Sequence, residues 1–595
     1  MTPRATGESP RFDPQQAADS LSRIAERSQQ LITNFLSRRQ TNSLGMGDPV
    51  NIGNAFIELT QRMMADPVSV VTTAFDLWNE HLRLWQRTTQ RLFGVVDASG
   101  TEQRDRRFRD PAWSENAIFA YVKQSYLLSA DAILSSVRRT EGLDPKEALK
   151  VNFYARQFVD AIAPSNFAAT NPEVLKATLE SGGTNLINGL ANLLEDLDRG
   201  EGRLSITMTD GDAFRIGENV ATTPGKVILQ NDLMQLIQYT STTANVRRRP
   251  LLIVPPWINK FYILDLRPEN SFVRWAVAQG HTVFVISWTN PDARLAEKSF
   301  EHYMAEGLLE ALDGVCVSTG ERTVNAIGYC LGGTLLASTL AYLAAKGDER
   351  IASATYFVSL VDFTDVGDMA VFIDEEQLAA LEKRMKERGY LEAHDMATSF
   401  NMLRANDLIW SFVVNNYLLG KDPIPFDLLY WNADATRMPA AMHGFYLRNM
   451  YHENRLVKPG GISLKGVPID LRLIKTPTFL LSTREDHIAP WRSTYAATQI
   501  YGGPITFVLS ASGHIAGVIS PPGSKYGHWQ NSALPEKPED WLQGAEAHAS
   551  SWWPAWDAWV AQFAGGKTEA RVPGGGVLPP LEDAPGSYVR VRAVR

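Results

Sequence analysis

Cysteine is scarce in this sequence: the 595 residues include two, and neither lies in a C-x-x-C spacing. Two cysteines cannot build a disulfide framework, and the missing paired spacing gives no support to a zinc site. The phosphate-binding pattern G-x-x-x-x-G-K-[ST] and the dinucleotide-binding pattern G-x-G-x-x-G are also missing. We therefore expect a cytoplasmic protein without a metal or cofactor.

Long apolar runs and excess positive charge are missing too. No stretch reaches the roughly 20 apolar residues that span a bilayer, and the polar residues 1–16 lack the apolar core of a signal peptide. A net charge of -8 argues against a nucleic-acid partner, because counterion release requires a basic surface. We expect no integral membrane segment, while the 15 tryptophans leave a role at a lipid-like surface open.

The composition divides the chain into four regions. Residues 1–47 mix charge, Ser, Gln and Pro, which predicts a mobile tail with one helix near 17–36. Residues 48–240 form a mainly helical N-terminal domain, and residues 241–564 form an α/β catalytic domain. Residues 565–595, rich in Pro and Gly, predict an extended or disordered tail.

Local signals within the N-terminal domain predict its elements. An apolar face from Phe75 to Leu92, ended by Gly94, predicts a helix that packs either in a domain core or on a partner. Alternating apolar residues on both sides of Asp210-Gly211 predict a β-hairpin. Helix starts are predicted at the Asx-Pro steps Asp66-Pro67, Asp110-Pro111, Asp144-Pro145 and Asn171-Pro172.

From Pro250 the pattern alternates between strand and helix, which predicts a parallel sheet covered by helices on both faces. The predicted strands are Leu251–Val254, Thr282–Trp288, the run beginning at Val324, Ala354–Leu360, Thr478–Ser482 and Ile505–Leu509. The interval of about 362–470 interrupts this rhythm. We interpret it as a cap, which either covers the site as a lid or forms a packing subdomain.

Cys330 is the candidate nucleophile. It stands between an apolar strand pattern and a helix pattern, flanked by Gly328 and Gly332 as in G-x-S-x-G, with cysteine in place of serine. Such a turn exposes the sulfur at the carboxyl end of the sheet, and the following helix N-terminus favours the thiolate. The alternative is a buried, inert cysteine in a glycine-rich turn. Cys316 is expected to be a buried packing thiol.

A thiol nucleophile needs a base and a group that orients the base. His514 follows the strand Ile505–Leu509, and Asp486 follows the strand Thr478–Ser482, so both lie at carboxyl ends in the chain order nucleophile, acid, base. Asp362 and Glu485 are rival acids. The other candidate histidines, expected to be surface or packing residues, are His81, His302 and His394.

The oxyanion of an acyl transfer needs two hydrogen-bond donors. The backbone N–H of Leu331 is the first candidate, because it follows the nucleophile at the helix start. The second should come from the loop after Leu251–Val254, where Pro255 and Pro256 have no N–H group. The N–H groups of Trp257 and Ile258 are therefore the candidates.

The chain also resembles the polyhydroxyalkanoate synthases. Their cysteine box is similar to Gly328-Tyr329-Cys330-Leu331-Gly332-Gly333. Further similar motifs are Pro255–Tyr262, Phe426–Asn432, Arg484-Glu485-Asp486-His487 and Gly513–Gly517. The resemblance spans about residues 250–529 and is more specific than the turn alone.

The resemblance implies an α/β-hydrolase fold and the polymerisation of (R)-3-hydroxyacyl-CoA, with 3-hydroxybutyryl-CoA as the expected monomer. It implies that Cys330 carries the acyl chain, with His514 as base and Asp486 as third member. A long helical N-terminal domain resembles class I, which implies a homodimer at a polyester granule, together with granule-associated proteins. Class II has a similar architecture.

Two other functions remain open from the residues. The first is an acyl-CoA thioesterase or other cysteine hydrolase, in which water replaces the monomer hydroxyl. The second is a granule-binding protein without turnover. The cap and the N-terminal domain argue against the hydrolase. The set of Cys330, Asp486 and His514 argues against pure binding, which needs none of them.

Overall fold

The computed structural model describes residues 59–62, 67–93, 105–140, 142–202 and 204–593. The expected tail at 1–47, the helix near 17–36, the helix cap at Asp66 and the stop at Gly94 lie outside these residues. By its internal contacts the chain divides into two compact units. One reaches Asp210 and includes Thr398–Ile424, and the other comprises Gly211–Ala397 and the chain from Pro425 onward.

The first unit is helical. Its helices are α1 (Pro67–Leu92), α2 (Ala112–Glu115), α3 (Ala117–Arg139), α4 (Pro145–Ala161), α5 (Pro172–Glu180) and α6 (Thr184–Arg199). Asp144 accepts a hydrogen bond of 2.9 Å from the N–H of Lys146, and Asn171 accepts one of 2.9 Å from the N–H of Glu173. Each cap precedes a proline in the first helical turn, where a missing N–H costs nothing. These two predicted helix starts are confirmed.

Residues Thr398–Ile424 pack on α6 within this unit. The side-chain amide of Asn185 donates a hydrogen bond of 2.8 Å to the carbonyl of Leu418, and the hydroxyl of Tyr417 donates one of 2.5 Å to Asp196. A segment that the sequence assigns to the cap of the catalytic domain therefore groups with the N-terminal helices.

Helix α1 contacts α3 on one face and exposes a second, apolar face. On one, His81 bonds to Ser125 and Ser129 of α3, at 3.2 Å each. On the other, Phe75 is 61% exposed and Trp78 is 60% exposed. The sequence left a core and a partner surface as alternatives for this second face, and its exposure argues against the core.

The hairpin predicted around Asp210-Gly211 is wrong. Residues 204–208 form no strand, and a 3₁₀ turn at Gly211–Ala213 follows. The N–H of Thr207 donates a hydrogen bond of 3.0 Å to the carboxylate of Asp196, and the N–H of Ser205 donates one of 3.3 Å to its carbonyl. Helix α6 thus satisfies backbone groups that a partner strand would otherwise bond.

The second unit is built on an 11-stranded sheet. The strands of this unit are β1 (Gly225–Gln230), β2 (Met234–Tyr239), β3 (Asn245–Arg247), β4 (Leu251–Val254), β5 (Val283–Trp288), β6 (Val324–Tyr329), β7 (Ile351–Phe357), β8 (Tyr390–Leu391), β9 (Met438–Pro439), β10 (Ser463–Leu464), β11 (Val467–Pro468), β12 (Thr478–Thr483), β13 (Ile505–Ser510), β14 (His528–Gln530), β15 (Glu546–His548), β16 (Lys567–Glu569) and β17 (Glu582–Asp583). The sheet order is β15-β14-β13-β12-β7-β6-β4-β5-β2-β1-β17. Strands β13 to β5 of this order are parallel, which confirms the predicted sheet.

Helices cover the parallel strands. The remaining helices are α7 (Phe272–Ala278), α8 (Phe300–His302), α9 (Glu310–Thr319), α10 (Leu331–Lys346), α11 (Glu375–Arg388), α12 (Ala393–Leu403), α13 (Asp427–Ala433), α14 (Ala440–Tyr446), α15 (Trp491–Tyr495), α16 (Ala497–Ile500), α17 (Pro538–Gln543) and α18 (Trp553–Val560). Strands β5 and β6 are buried along their whole length, as expected for a sheet covered on both faces. Among the residues described, no helix combines the length and apolar character needed to cross a bilayer.

The described part of the C-terminal segment is extended and joins the sheet, so of the two expected states, extended or disordered, the disordered one is wrong. Strand β17 pairs with β1, where Lys226 lies opposite Asp583, and β16 pairs with β3. The guanidinium of Arg590 donates a hydrogen bond of 2.7 Å to the carbonyl of Ile216. An exposed edge such as that of β1 presents unpaired backbone groups, and β17 satisfies them despite the Pro/Gly-rich sequence around it.

Candidate active site

Cys330 lies on a sharp turn between β6 and α10. Its φ of 52° and ψ of -119° fall in a region that residues other than glycine rarely occupy. The N–H of Cys330 donates a hydrogen bond of 2.9 Å to the carbonyl of Phe357 on β7, and the N–H of Gly333 donates one of 2.9 Å to the carbonyl of Cys330. These bonds hold the strained turn, which leaves the cysteine half-buried.

The glycines around Cys330 are required by close packing. A Cβ atom at Gly332 would collide with the carbonyl oxygen of Val254, and one at Gly333 would collide with the hydroxyl of Ser359. At Gly328 a Cβ atom would lie 2.5 Å from the Cα of Gly333. Strand β6, the end of β4 and the start of α10 approach one another this closely only because these side chains are missing.

Asp486 lies on the loop after β12, and its side chain is fully buried. One carboxylate oxygen accepts hydrogen bonds of 2.9 Å from the N–H groups of Ile488 and Ala489. The other accepts a hydrogen bond of 3.1 Å from the hydroxyl of Thr483 and one of 2.8 Å from Nδ1 of His514. Hydrogen bonds therefore compensate the burial of this carboxylate.

His514 lies on the loop after β13 and is buried. Its ring lies 5.9 Å from that of Tyr329, whose hydroxyl donates a hydrogen bond of 3.4 Å to the His514 carbonyl. Because Nδ1 is bonded to Asp486, Nε2 is the ring nitrogen left for Cys330. The charge of Cys330 and its hydrogen bond to the imidazole both raise the pKa of His514. The structure thus brings the three predicted triad residues together.

The pKa values of His514 and Asp486 shift in opposite directions. Burial lowers the pKa of His514, but the charges of Asp486 and Cys330 and the hydrogen bonds to both outweigh it and raise the pKa to about 10. Burial raises the pKa of Asp486, but the charge and hydrogen bond of His514 and two backbone N–H groups hold it below its ordinary value. Both shifts favour an imidazolium beside a carboxylate.

The rival acid Asp362 has other partners. One of its oxygens accepts hydrogen bonds of 2.9 Å and 2.7 Å from the N–H and hydroxyl of Thr364, and one of 2.7 Å from the side chain of Asn454. These bonds shape the turn after β7. Glu485, the other rival, is exposed, whereas Asp486 bonds to His514.

The remaining cysteine and two of the remaining histidines have separate environments. Cys316 lies on α9 and is half-buried rather than buried, and burial raises the pKa of its thiol. His81 packs between α1 and α3. Nδ1 of His302 accepts a hydrogen bond of 3.0 Å from the N–H of Ser299, at the start of α8. The contacts of His81 and His302 fit the expected surface or packing roles, whereas the expectation that Cys316 is buried is wrong.

Two tryptophans that the sequence reasoning did not single out hold the loop of His514. The indole N–H of Trp552 donates a hydrogen bond of 2.9 Å to the carbonyl of Gly517, and that of Trp553 donates one of 3.0 Å to the carbonyl of Val518. Both rings are buried. The available signal was the tryptophan-rich run of residues 552–559, which does not by itself name its partners.

The predicted oxyanion donors lie on two backbones that touch. Leu331 is the first residue of α10, so its N–H precedes the intrahelical hydrogen bonds. The end of β4 packs on Gly332, which is next to Leu331. The contact is so close that a Cβ atom at Gly332 would collide with the carbonyl oxygen of Val254. The loop with Trp257 and Ile258 begins at that contact, so it leaves the sheet beside the start of α10.

Side-chain and backbone groups from other parts of the second unit hold this loop in place. The indole of Trp288 donates a hydrogen bond of 2.8 Å to the carbonyl of Pro255. The N–H of Thr436 donates one of 3.3 Å to the carbonyl of Ile258. The ammonium group of Lys260 and the carboxylate of Asp434 form a buried ion pair of 2.7 Å. The segment 434–436, within the interval interpreted as a cap, thus fixes the loop that carries the second candidate donor.

The parallel sheet, the strained turn after β6 and the acid and histidine after β12 and β13 define an α/β-hydrolase fold. The family model for the alpha/beta hydrolase fold matches residues 237–521. A monoacylglycerol lipase from Paleococcus ferrophilus is a similar solved structure, at 14% identity over 56% of this chain and 98% of that chain, with a TM-score of 0.30.

A second family model, described as the N-terminus of poly-beta-hydroxybutyrate polymerase (PhaC), matches residues 104–276. A poly(3-hydroxyalkanoate) polymerase subunit PhaC of Rhizobium meliloti (strain 1021) is 48% identical, over 98% of this chain and 96% of the relative. A poly(3-hydroxyalkanoate) polymerase of Methylorubrum extorquens is 50% identical, over 93% and 92%. The chain belongs to the poly(3-hydroxyalkanoate) polymerase family and is an acyltransferase enzyme.

Proposed function

We propose that this enzyme polymerises (R)-3-hydroxyacyl-CoA into polyhydroxyalkanoate with release of CoA, and that Cys330 carries the growing acyl chain. The observation that supports the mechanism best is the 2.8 Å hydrogen bond between His514 and Asp486, next to a cysteine on a strained strand-to-helix turn. Family membership supports the reaction, and the class I resemblance favours 3-hydroxybutyryl-CoA as the monomer.

In the first step, Nε2 of His514 takes the proton of the Cys330 thiol, and the thiolate attacks the thioester carbonyl carbon. A bond from Sγ to carbon forms, the bond from carbon to the CoA sulfur breaks, and the leaving CoA thiolate takes the proton from His514. Asp486 orients the imidazole and stabilises the imidazolium. The N–H groups of Leu331 and of Trp257 or Ile258 donate to the oxyanion.

In the second step, the 3-hydroxyl group of another monomer or chain attacks the acyl-cysteine. An ester bond forms, the bond between carbon and Sγ breaks, and the hydroxyl proton passes to the base. We assign this base role to His514, because the carboxylate of Asp486 already accepts four hydrogen bonds and its pKa is lowered. Exchange of one thioester for another costs little, and sulfur is then a good leaving group.

The same resemblance supports a setting for the reaction. We propose a cytoplasmic homodimer at the surface of the polyester granule, in contact with granule-associated proteins. A polymer that stays attached to Cys330 and is insoluble in water would retain the enzyme at the growing particle.

The test is incubation of the purified protein with (R)-3-hydroxybutyryl-CoA while CoA release and the fate of the acyl group are measured. Wild type and Cys316→Ala should release CoA and form insoluble polyester, and Cys330→Ala should do neither. Because Cys316 is the other cysteine of the chain, this pair separates a nucleophile from general thiol damage. Polyester formation by Cys330→Ala would contradict the mechanism.

A thioesterase is the alternative that the same residues would serve, with water as the second nucleophile. It predicts CoA release with free 3-hydroxybutyrate and no polymer. If neither (R)-3-hydroxybutyryl-CoA nor a medium-chain monomer gives CoA release, both the polymerase and the thioesterase functions are contradicted.

A further inference from the structure

The last described part of the chain continues beyond β17. Residues 587–593, which we name the C-terminal arm, are held first at β2. There the side chain of Gln235 donates a hydrogen bond of 3.0 Å to the hydroxyl of Ser587 and accepts one of 3.1 Å from the N–H of Tyr588. The hydroxyl of Tyr588 donates one of 2.6 Å to the carbonyl of Asn231, in the turn between β1 and β2. The arm therefore runs from the edge of the sheet toward β5.

The end of the arm is bonded to residues 430–437, which lie within the interval interpreted as a cap. The guanidinium of Arg592 donates a hydrogen bond of 2.6 Å to the hydroxyl of Tyr430, and it also lies over the Tyr430 ring, 5.4 Å from the centroid. The guanidinium of Arg437 donates a hydrogen bond of 2.9 Å to the carbonyl of Ala593. Donors from both sides thus join the arm to this segment.

Asn290 joins the same two parts from the loop after β5. Its side-chain N–H donates a hydrogen bond of 3.4 Å to the carbonyl of Val591, and its side-chain carbonyl accepts one of 3.0 Å from the N–H of Arg437. Asn290 is buried, and a buried amide needs partners for both of its groups. One partner lies on the arm and the other lies in residues 430–437, so both are fixed to the same point of the sheet.

Residues 430–437 in turn hold the loop of the second candidate oxyanion donor. The hydroxyl of Thr436 donates a hydrogen bond to the carbonyl of Trp257, and the N–H of Thr436 donates one of 3.3 Å to the carbonyl of Ile258. A trans peptide unit is planar, so its carbonyl and its N–H point in opposite directions. Because the carbonyl of Trp257 and the N–H of Ile258 belong to one peptide unit, the bond from Thr436 also fixes the direction of that N–H.

Buried charges add to this attachment. The ion pair of Lys260 and Asp434 follows the loop directly, and the hydroxyl of Tyr262 donates a hydrogen bond of 3.0 Å to the other oxygen of Asp434. Burial lowers the pKa of Lys260, the charge and hydrogen bond of Asp434 oppose this shift, and the charge of Arg592 adds to it. The guanidinium of the arm is therefore close enough to act on the ion pair.

We propose that the C-terminal arm positions the oxyanion loop, with Arg592 as the positioning residue. The arm holds residues 430–437 in place, and these residues set the direction of the N–H groups that donate to the oxyanion. The side chain of Arg592 is exposed, so it acts through Tyr430 and not on the substrate. This inference rests on the proposed function, because that function assigns the oxyanion to the loop of Trp257 and Ile258.

Arg592→Met tests the inference in the full-length chain, since it removes the guanidinium and keeps an unbranched stem. Loss of a whole oxyanion donor typically lowers the rate by about 10²–10³, and a displaced donor loses part of that. The kcat for CoA release from (R)-3-hydroxybutyryl-CoA should therefore fall roughly tenfold. KM should change less than about twofold, because the lost interaction forms in the transition state.

Arg590→Met is the matched control. Arg590 is an exposed arginine of the same arm, and its guanidinium donates a hydrogen bond of 2.7 Å to the carbonyl of Ile216. Its bond does not involve residues 430–437, so its kcat should stay within about twofold of wild type. Both variants should keep the thermal unfolding midpoint of wild type within a few degrees.

Two further variants separate positioning from general packing. Arg592→Lys keeps a positive charge and a donor for the hydroxyl of Tyr430, and it should restore at least about half of the wild-type kcat. Tyr430→Phe removes that hydroxyl and keeps the ring. In this background Arg592→Met should cost less than in wild type, because the two residues act through one contact.

Unchanged kcat in Arg592→Met, equal losses in Arg590→Met, or equal costs of Arg592→Met with and without the hydroxyl of Tyr430 would overturn the inference. A wild type that releases CoA but forms no polyester would overturn polymerisation alone. The ratio of variant to wild-type CoA release would then still decide the role of the arm. A wild type that releases no CoA would overturn the acyl-transfer site and this inference together.

Discussion

Nδ1 of His514 donates a 2.8 Å hydrogen bond to the carboxylate of Asp486, and each residue lies on the loop after one of two adjacent parallel strands. The strands β12 and β13 run in register from Thr478 opposite Ile505 to Thr483 opposite Ser510. Because both strands end at the same level, the two loops begin side by side. The pair is therefore positioned by strand register, and the neighbours of each loop fix its final geometry.

Replacement of Asp486 tests its role against that of Asp362. Asp486→Asn should lower kcat by roughly 10³–10⁴, because the imidazole loses its orientation and the stabilisation of its charged form. Asp362→Asn is the matched control. It keeps an oxygen that accepts the hydrogen bonds of Thr364, so its rate of CoA release should remain within about tenfold of wild type. Similar losses in the two variants would contradict the assignment of Asp486.

The Asp486–His514 pair should make stability depend on pH. The pKa of His514 is raised from 6.5 to about 10, so its contribution is complete below pH 6.5 and is lost as the pH rises toward 10. The pKa of Asp486 is lowered from 3.8, so its contribution is present above that value and is lost at lower pH. Asp486→Asn should therefore lower the thermal unfolding midpoint more at pH 6 than at pH 10, with a cost of about 1–3 kcal/mol at pH 6.

A double-mutant cycle provides the control for this pH dependence. In a His514→Gln background, Asp486→Asn should cost the same at both pH values, because the partner that titrates is gone. A pH dependence that persists in this background would assign it to another group.

The indole of Trp552 should position the His514 loop. Trp552→Phe keeps the apolar ring but leaves the carbonyl of Gly517 without this hydrogen bond, which should reduce kcat by roughly 10- to 100-fold through displacement of His514. Trp541→Phe is the control, because Trp541 is equally buried and its indole N–H has no partner among the residues described. Steady-state kinetics and circular dichroism of both variants test this, and equal losses would indicate a general packing effect.

Gly332→Ala should fail for a steric reason. The added methyl group would collide with the carbonyl of Val254, which must displace either the start of α10 or the end of β4, at a cost of about 3 kcal/mol or more. Gly444→Ala in helix α14 is the control, because its nearest neighbour would be Glu382 at 3.7 Å. That change should be neutral or stabilising by up to about 1 kcal/mol. Thermal unfolding of both variants distinguishes a specific collision from a general effect of the added methyl.

Local patterns in the sequence were sufficient for the main architecture. Apolar runs bounded by turn residues predicted the parallel strands from β4 to β13, because strands buried on both faces need apolar residues throughout. Since loops at the carboxyl ends of parallel strands meet at one edge, the positions of Cys330, Asp486 and His514 after three such strands predicted their proximity. Position after a predicted strand selected His514 among the candidate histidines, and the chain order nucleophile, acid, base then selected Asp486 as the acid.

Long-range contacts decided what the sequence could not. The backbone of residues 204–208 bonds to Asp196 instead of forming a hairpin, and the C-terminal segment pairs with the edge strand β1 although its composition resembles that of a free tail. The bonds from Trp552 and Trp553 join residues 35 positions apart. Periodicity and turn signals report the chain's own neighbourhood, whereas these partners are selected by which backbone groups the finished sheet and helices leave unbonded.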